Sequence, residues 1–593
     1  MTRIPLRPLA AILDARKKGS DPDVIERRNT KARHEAIQSE LRSVGEGRIV
    51  VLGVMFFCAF AVIGARMGLL AGSEPTEIRV ASTASDILAQ RADIVDRRGR
   101  VLATNIETHS LYAQPQEMIE PERAAKELVK IFPDLDLARL TKDFTGKRKF
   151  VWVKKKISPE QLQQVHDIGS PGLLFGPREA RLYPNGTLAA HVMGGTSFGR
   201  EGVHAAEVIG TAGVEKQFDE YLRDPSNGAR PLQLSLDLTV QTAAERVMAG
   251  GMRLMGAKGA ASILMDVHTG EVISVVSLPD FDPNDRPMPP VEGDPDDSPL
   301  FNRALQGVYE LGSTFKVFTI AQALDLRLVN ESTMIDTRGP LVWGKHRIRD
   351  FHDYGKELDV TTVLTKSSNI GTARISQMIG AERQREFLGS LGMLEPTSVE
   401  MPEAGGGRPL LPKNWSEIST MTISYGHGIS TTPMHLAAAF ATIANGGRKI
   451  SPTLIKQDAP NYGPQVMSPE VARSMNAMMR KVVTEGTASF GDVAGYKVGG
   501  KTGTADKARA RGGYYEDKVI ATFASVFPAD DPRYVLIVTL DEPEIHSYGE
   551  DRRSAGWTAV PVAAEYINRI APLLGLRPDV EPGNLAGITL TSN

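Results

Sequence analysis

One cysteine, Cys58, is all that 593 residues carry, and it lies inside an apolar run. No intramolecular disulfide can form, and no cysteine-based metal cluster can be built. The fold must hold by packing alone, as in the cytosol or in an exported domain that does not rely on oxidation. Net charge is also scarce: 69 Lys and Arg against 71 Asp and Glu leave −2. That gives no strong pull toward nucleic acid. Internal repeats are absent, and so is a second apolar run as long as the one at residues 49–71. What remains, 41% hydrophobic and 24% charged, is the composition of an ordinary globular protein, which argues against pervasive disorder. The length exceeds one hydrophobic core and predicts about two to four domains.

The apolar run is the first positive feature. Ile49 to Ala65 carries no charge, and after Arg66 the run resumes to Ala71. At roughly 1.5 Å per residue it reaches about 34 Å, against a hydrocarbon core of roughly 30 Å. Arg66, near its end, can snorkel to the interface. The preceding tail is polar, rich in Lys and Arg from Arg3 to Arg48, and too long for a signal-peptide n-region. By the positive-inside rule the tail stays in the cytoplasm. The expectation is a single-pass anchor with everything after it outside. A buried core helix is the bland alternative, disfavoured by the basic flank and the length.

Beyond the anchor, residues 73–235 mix short strand-like and helix-like segments. RADIVDRRGRVLATN reads as two strands around an Arg98-Gly99 turn. Pro121 to Phe132 reads as a helix, and Gly213-Val214-Glu215 opens another. A new unit begins near Leu234, with Asp237 as the N-cap of a helix. Two strands flank His268-Thr269-Gly270 as a hairpin. The Pro/Asp-rich stretch 279–299 must be loop. Long helical segments are predicted from Ser313 to about Asn445. The chain then returns to strands and ends in a helix running roughly from Trp557 to Ile570. Strands, then helices, then strands and a helix give an α+β domain, an antiparallel sheet covered by helices.

Three short motifs carry chemistry. Ser313-Thr314-Phe315-Lys316 opens an apolar helix, so Ser and Lys three apart share one face. A serine hydroxyl needs a base, and a lysine can serve if burial lowers its pKa. Alone, the motif is as easily a helix cap with a solvated lysine. In Ser367-Ser368-Asn369, a serine can relay a proton and an asparagine can orient a lysine or hold a substrate amide. Alone, this is more simply a turn. Lys501-Thr502-Gly503-Thr504 follows Gly499 and Gly500 on a strand-like segment. Glycine in a strand marks a close backbone approach, and such an edge can pair with a peptide. Its hydroxyls and ammonium suit a terminal carboxylate. Alone, it reads as an edge strand defended by a lysine.

The order S-x-x-K, S-x-N, K-T-G resembles the penicillin-recognising serine acyltransferases. The stretch from Asn302 to Lys316, NRALQGVYELGSTFK, resembles the class B penicillin-binding proteins, with Leu311 where proline is usual. RADIVDRRGRVLA resembles their pedestal signature, with Ala92 where glycine is usual. Gly213-Val214-Glu215, the SYGHGISTTP run from Ser424 and the EGTA run from Glu485 extend the match over roughly residues 80–570.

The domain plan this implies is a cytoplasmic tail at 1–48, a transmembrane helix at 49–71, a mixed α/β pedestal at 73–235, a transpeptidase domain at 236–575 and a C-terminal tail at 576–593. The resemblance implies a septal peptidoglycan D,D-transpeptidase of the cytoplasmic (inner) membrane, with the elongation paralogue, a D,D-carboxypeptidase or a β-lactam sensor as alternatives. It assigns Ser313 as nucleophile and Lys316 as base. Ser367, Asn369 and Lys501 become relay or orienting groups, and Thr502, Gly503 and Thr504 hold the substrate. It implies no metal or organic cofactor. Its implied partners are D-Ala-D-Ala stem peptides, β-lactams bound covalently, a membrane-embedded glycan polymerase and other division proteins. His352 and His427 have no motif spacing and read as structural.

Overall fold

In a computed structural model of the chain, the described residues are 9–72, 91–201, 206–228, 230–509, 512–547 and 549–579. The start of the expected pedestal, 73–90, and most of the expected C-terminal tail, 580–593, lie outside them. The chain forms two compact units, 1–84 and 85–593.

The first unit contains α1 (Leu9–Lys17) and α2 (Pro22–Gly72). The apolar run lies in α2. Its described side chains, 51–67, are exposed, with Phe57 at 74% and Phe60 at 68%, so they are not those of a buried core helix. Ile49, Val50 and the side chains of 68–71 lie outside the described ones. Among the described residues, no helix is long and apolar enough to cross a membrane.

The second unit begins with the pedestal. Strand β1 (Ile94–Val95) pairs antiparallel with β2 (Val101–Ala113), which also pairs with β3 (Val151–Ile157) and β4 (Leu173–Leu182). A parallel strand, β5 (Leu232–Gln233), completes the sheet beside β1. The expected helix at Pro121 is present as Pro121–Ile131. The two pedestal stretches that carried the resemblance meet in one buried ionic knot. Glu215 is fully buried and takes Arg91 at 2.6 Å and Arg181 at 2.6 Å. At the turn between β1 and β2, Asp96 accepts from the backbone N–H of Arg98 and Arg100 and from that of Leu238. Asp237 does cap the helix α3 (Leu238–Leu254), accepting from Thr239 at 2.9 Å, and Arg100 binds its carboxylate. The pedestal is thus tied into the start of the next domain by buried carboxylates whose charge is balanced, which is what makes such burial tolerable.

That domain is built on a five-stranded antiparallel sheet. β6 (Gly259–Asp266) and β7 (Val272–Leu278) form the hairpin expected around Gly270. The chain returns much later as β8 (Gly499–Ala508), β9 (Tyr514–Phe527) and β10 (Tyr534–Asp541). The order β8-β9-β10-β6-β7 puts β8, which carries Lys501 to Thr504, on the edge of the sheet. β6, β7 and β10 are almost wholly buried, because helices cover both faces. α3 and the terminal helix Ala559–Ile570 pack on one side; α6 (Pro433–Ala444) lies on the other, and α7 (Pro469–Glu485) packs beside β8.

One expectation needs correction. The helical segments expected from Ser313 to about Asn445 do not fill that stretch: after α4 (Lys316–Asp325), four three-residue strands between Met334 and Asp359 come before α5 (Val360–Lys366) and the helix Asn369–Ile379. The interrupting residues include Gly339, Pro340, Gly344 and Gly355, which break helices. The terminal helix, expected roughly from Trp557 to Ile570, runs Ala559–Ile570.

Candidate active site

Ser313 lies in a 3₁₀ turn, Gly312–Phe315, that leads into α4. The expectation was the first turn of an α-helix. The tighter 3₁₀ winding stacks positions i and i+3 even more directly, so Ser313 and Lys316 still share a face. Glycines let three backbones close around this turn. Gly312 has φ of +55°, and a Cβ there would lie 2.8 Å from the Thr504 carbonyl oxygen. A Cβ on Gly503 would meet the Leu311 oxygen at 2.1 Å, and one on Gly426 the Gly312 oxygen at 2.0 Å. The edge strand β8 and the loop 424–428 therefore touch the nucleophile's turn backbone to backbone. Ser313 is partly exposed; Lys316 and Lys501 are fully buried.

The three motifs converge on the two lysines. Lys316 Nζ donates to the Ser367 carbonyl at 2.5 Å, to Ser367 Oγ at 3.0 Å and to Asn369 Oδ1 at 2.6 Å. Lys501 Nζ donates to the same Ser367 Oγ at 3.0 Å and to the Thr502 carbonyl at 3.1 Å. Ser367 is left-handed, with φ of +63°, at the end of α5. That conformation turns both its carbonyl and its hydroxyl onto Lys316. Burial pushes the Lys316 pKa well below its ordinary 10.5, and the Lys501 charge pushes it the same way. Burial lowers Lys501 from 10.5 to about 7. A lowered amine pKa favours the neutral form, which is what a general base requires. Ser367 Oγ joins the two amines into a chain along which a proton can pass.

The K-T-G residues sit as the edge-strand expectation had them: among the described residues β8 pairs only with β9, with Thr502 opposite Phe523 and Thr504 opposite Ala521. Thr502 Oγ1 lies 2.7 Å from Thr487 Oγ1, and Thr504 Oγ1 accepts from Ala555 N–H at 3.0 Å.

Three supporting groups were not singled out in the sequence. Asp350 Oδ1 accepts from the backbone N–H of Asn369 and Ile370, and its Oδ2 takes the Ser368 hydroxyl at 2.7 Å. It caps the helix that carries Asn369 and raises the Lys316 pKa against the other influences. No spacing signal could have found it, since it lies in the irregular stretch before α5. Thr487 lies in the EGTA run and Glu310 in the stretch before Ser313, both quoted for the resemblance but given no role. Glu310 Oε2 binds His427 Nδ1 at 2.9 Å, and its Oε1 accepts from Gly428 N–H at 2.9 Å and Tyr514 O–H at 2.8 Å. His352 packs its ring against Phe351 and Tyr354. Among the described residues, no group of His, Cys, Asp and Glu is arranged to hold a metal ion.

This geometry has relatives. The family model described as penicillin binding protein transpeptidase domain matches residues 260–565, and the one described as penicillin-binding protein dimerisation domain matches 86–235. The protein named "Probable peptidoglycan D,D-transpeptidase FtsI" in Caulobacter vibrioides is 33% identical over 562 residues, 92% of either chain. Peptidoglycan D,D-transpeptidase FtsI of Escherichia coli K12 is 27% identical over 524 residues, covering 83% of this chain and 85% of its own. The apo structure of the TP domain of Burkholderia pseudomallei penicillin-binding protein 3 superposes with a TM-score of 0.52 at 33% identity, covering 59% of this chain and 98% of that one. The chain belongs to the class B penicillin-binding proteins.

Proposed function

We propose that this chain is a peptidoglycan D,D-transpeptidase of septal wall synthesis, with Ser313 as the acylated nucleophile. The observation that carries the residue assignment is the unbroken chain Lys316–Ser367–Lys501 beside the Ser313 turn.

The donor stem peptide lies along the free edge of β8. Its terminal carboxylate is held by Lys501, Thr502 and Thr504, and Asn369 holds a backbone amide of the donor. Neutral Lys316 takes the Ser313 proton as Oγ attacks the penultimate D-Ala carbonyl. The backbone N–H groups of Ser313 and Thr504 receive the oxyanion, brought together by the close approach of Gly312 to Thr504. The C–N bond breaks, the leaving amine takes a proton through Ser367 and the lysines, and D-Ala departs. An amine of a neighbouring stem peptide then attacks the ester, returns its proton along the same chain and frees Ser313. A β-lactam follows the first half and stalls, because its leaving group stays tethered.

The apolar run at 49–71, flanked by the basic tail, is the anchor in the inner membrane, with the N-terminus cytoplasmic and the catalytic domain periplasmic. The pedestal and anchor are partner surfaces for division proteins and a membrane-embedded glycan polymerase. Their benefit is effective concentration beside nascent strands rather than tight substrate binding. The test is D-Ala release and dimer formation from a D-Ala-D-Ala stem peptide in the presence of an acceptor amine. Wild type is expected to yield both products and Ser313→Ala neither. D-Ala release without dimer, at every acceptor concentration, would instead make water the acceptor and the chain a carboxypeptidase.

A further inference from the structure

Glu310 lies three residues before the nucleophile and is almost fully buried, yet the acyl-transfer steps leave it without a task. Its carboxylate gathers three donors from two segments and joins them to its own. His427 and Gly428 belong to the loop whose Gly426 abuts the Gly312 oxygen. Tyr514 starts β9, opposite Ala508 of the edge strand. Glu310 itself leads into the Ser313 turn. A single carboxylate therefore pins the nucleophile's turn to the 424–428 loop and to the hairpin that carries the substrate edge. Of the three donors only the imidazole changes charge near neutral pH.

We propose that Glu310 and His427 are positioning residues for Ser313: the imidazolium–carboxylate pair holds the 424–428 loop against the nucleophile's turn, and acylation weakens when the imidazole loses its charge. The proposal rests on the acylation of Ser313 argued above.

The surroundings of His427 support the charged form. Its ring lies 5.2 Å from the Tyr514 ring, tilted by 34°. The groups facing it are Glu310 from the turn, Asp506 from β8 and Tyr514 from β9. The Glu310 hydrogen bond raises the His427 pKa from its ordinary 6.5, burial opposes this, and the charges of Glu310 and Asp506 raise it further. A raised histidine pKa means that the charged pair stabilises the closed arrangement fully below the ordinary histidine range. That contribution fades as pH rises through the raised value. Loss of charge removes the attraction between imidazolium and carboxylate and leaves only the N–H to carboxylate hydrogen bond. No large rearrangement is needed: backbones that touch at Gly312, Gly426 and Gly503 leave no slack, so a small relaxation of the loop moves the serine.

The readout must separate this pair from the lysines, since Lys501 also titrates near pH 7. The ratio of wild-type to His427→Gln second-order acylation rates with benzylpenicillin cancels the lysines, which both proteins share. The expected ratio is about tenfold near pH 6, the order of one charge-assisted hydrogen bond, falling toward one above pH 8.5. Glu310→Gln is the second variant. It should lose the same advantage at low pH and show the same pH-flattened profile, with its melting temperature close to wild type at pH 8.5. Peptide mapping of the penicilloyl group in each variant checks separately that Ser313 is the residue acylated. A ratio near one throughout, or one that is large but constant with pH, overturns the proposal: the first makes the cluster idle, the second makes it a purely structural clip.

Discussion

At the residue scale the site is defined by two amines buried where charge is costly. Among the described residues Lys316 donates to Ser367 and Asn369, so it is held in place before a substrate arrives. Lys316→Ala should slow penicillin acylation by about 10²–10⁴-fold, the usual range for loss of a general base; stopped-flow acylation at pH 7.5 measures it, and a near-wild-type rate would remove the base role. Asp350 tests the tuning of that base. It raises the Lys316 pKa, so Asp350→Asn should shift the rising limb of the acylation profile to lower pH. The maximum rate should also fall, because the Asn369 helix loses its cap. Lys501 carries a stability consequence. Its folded pKa of about 7 lies below the ordinary 10.5, so between those values the unfolded chain holds more protons. This group therefore costs stability below about pH 7, and the cost disappears as pH rises toward 10. Lys501→Met, which keeps the buried stem, should melt higher than wild type at pH 6 by several degrees and lose most of its acylation. Scanning calorimetry at pH 6 and 10 checks the sign.

At the scale of elements, close backbone approach sets the site. The nucleophile's turn, the loop at 424–428 and the edge strand meet at three glycines. Gly503→Ala would drive a Cβ to 2.1 Å from the Leu311 oxygen. The strand or the turn must move, and acylation should fall by on the order of 10²-fold, the cost of about 1 Å of misplacement. The sequence made the chemistry of these elements readable and their arrangement much less so. Ser313 to Lys316 was legible because a three-residue spacing has the same meaning in a 3₁₀ turn as in an α-helix. The hairpin at Gly270 and the cap at Asp237 were legible because turn and cap residues act locally. Asp350 was invisible because its partners are 18 to 20 residues away across an irregular stretch. Glu310 and Thr487 were invisible as roles for the same reason: a carboxylate that gathers donors from 117 and 204 residues away leaves no periodicity to read. The helical segments of 313–445 give way to short strands where Gly and Pro cluster between Met334 and Asp359.

At the scale of the whole molecule, two compact units divide near residue 84, and the pedestal and catalytic domain share the second. The buried Glu215 knot and the Asp96–Asp237 turn tie those two together. A chain lacking residues 1–72 should therefore acylate with benzylpenicillin at the wild-type rate in detergent-free buffer. The anchor's role is tested in cells. Replacing residues 49–71 with an unrelated spanning helix, at matched expression in a depleted strain, should leave labelling by penicillin intact and impair septation. Normal septa would reduce the segment to a tether.

Mass spectrometry of the penicillin adduct tests whether Ser313 is the acylated residue. Wild-type protein treated with benzylpenicillin should gain one penicilloyl mass, mapped to the peptide containing Ser313. Ser313→Ala, with an unchanged circular dichroism spectrum and melting temperature, should gain none. A covalent adduct on the folded Ser313→Ala protein, or a wild-type adduct on any other residue, would contradict the account.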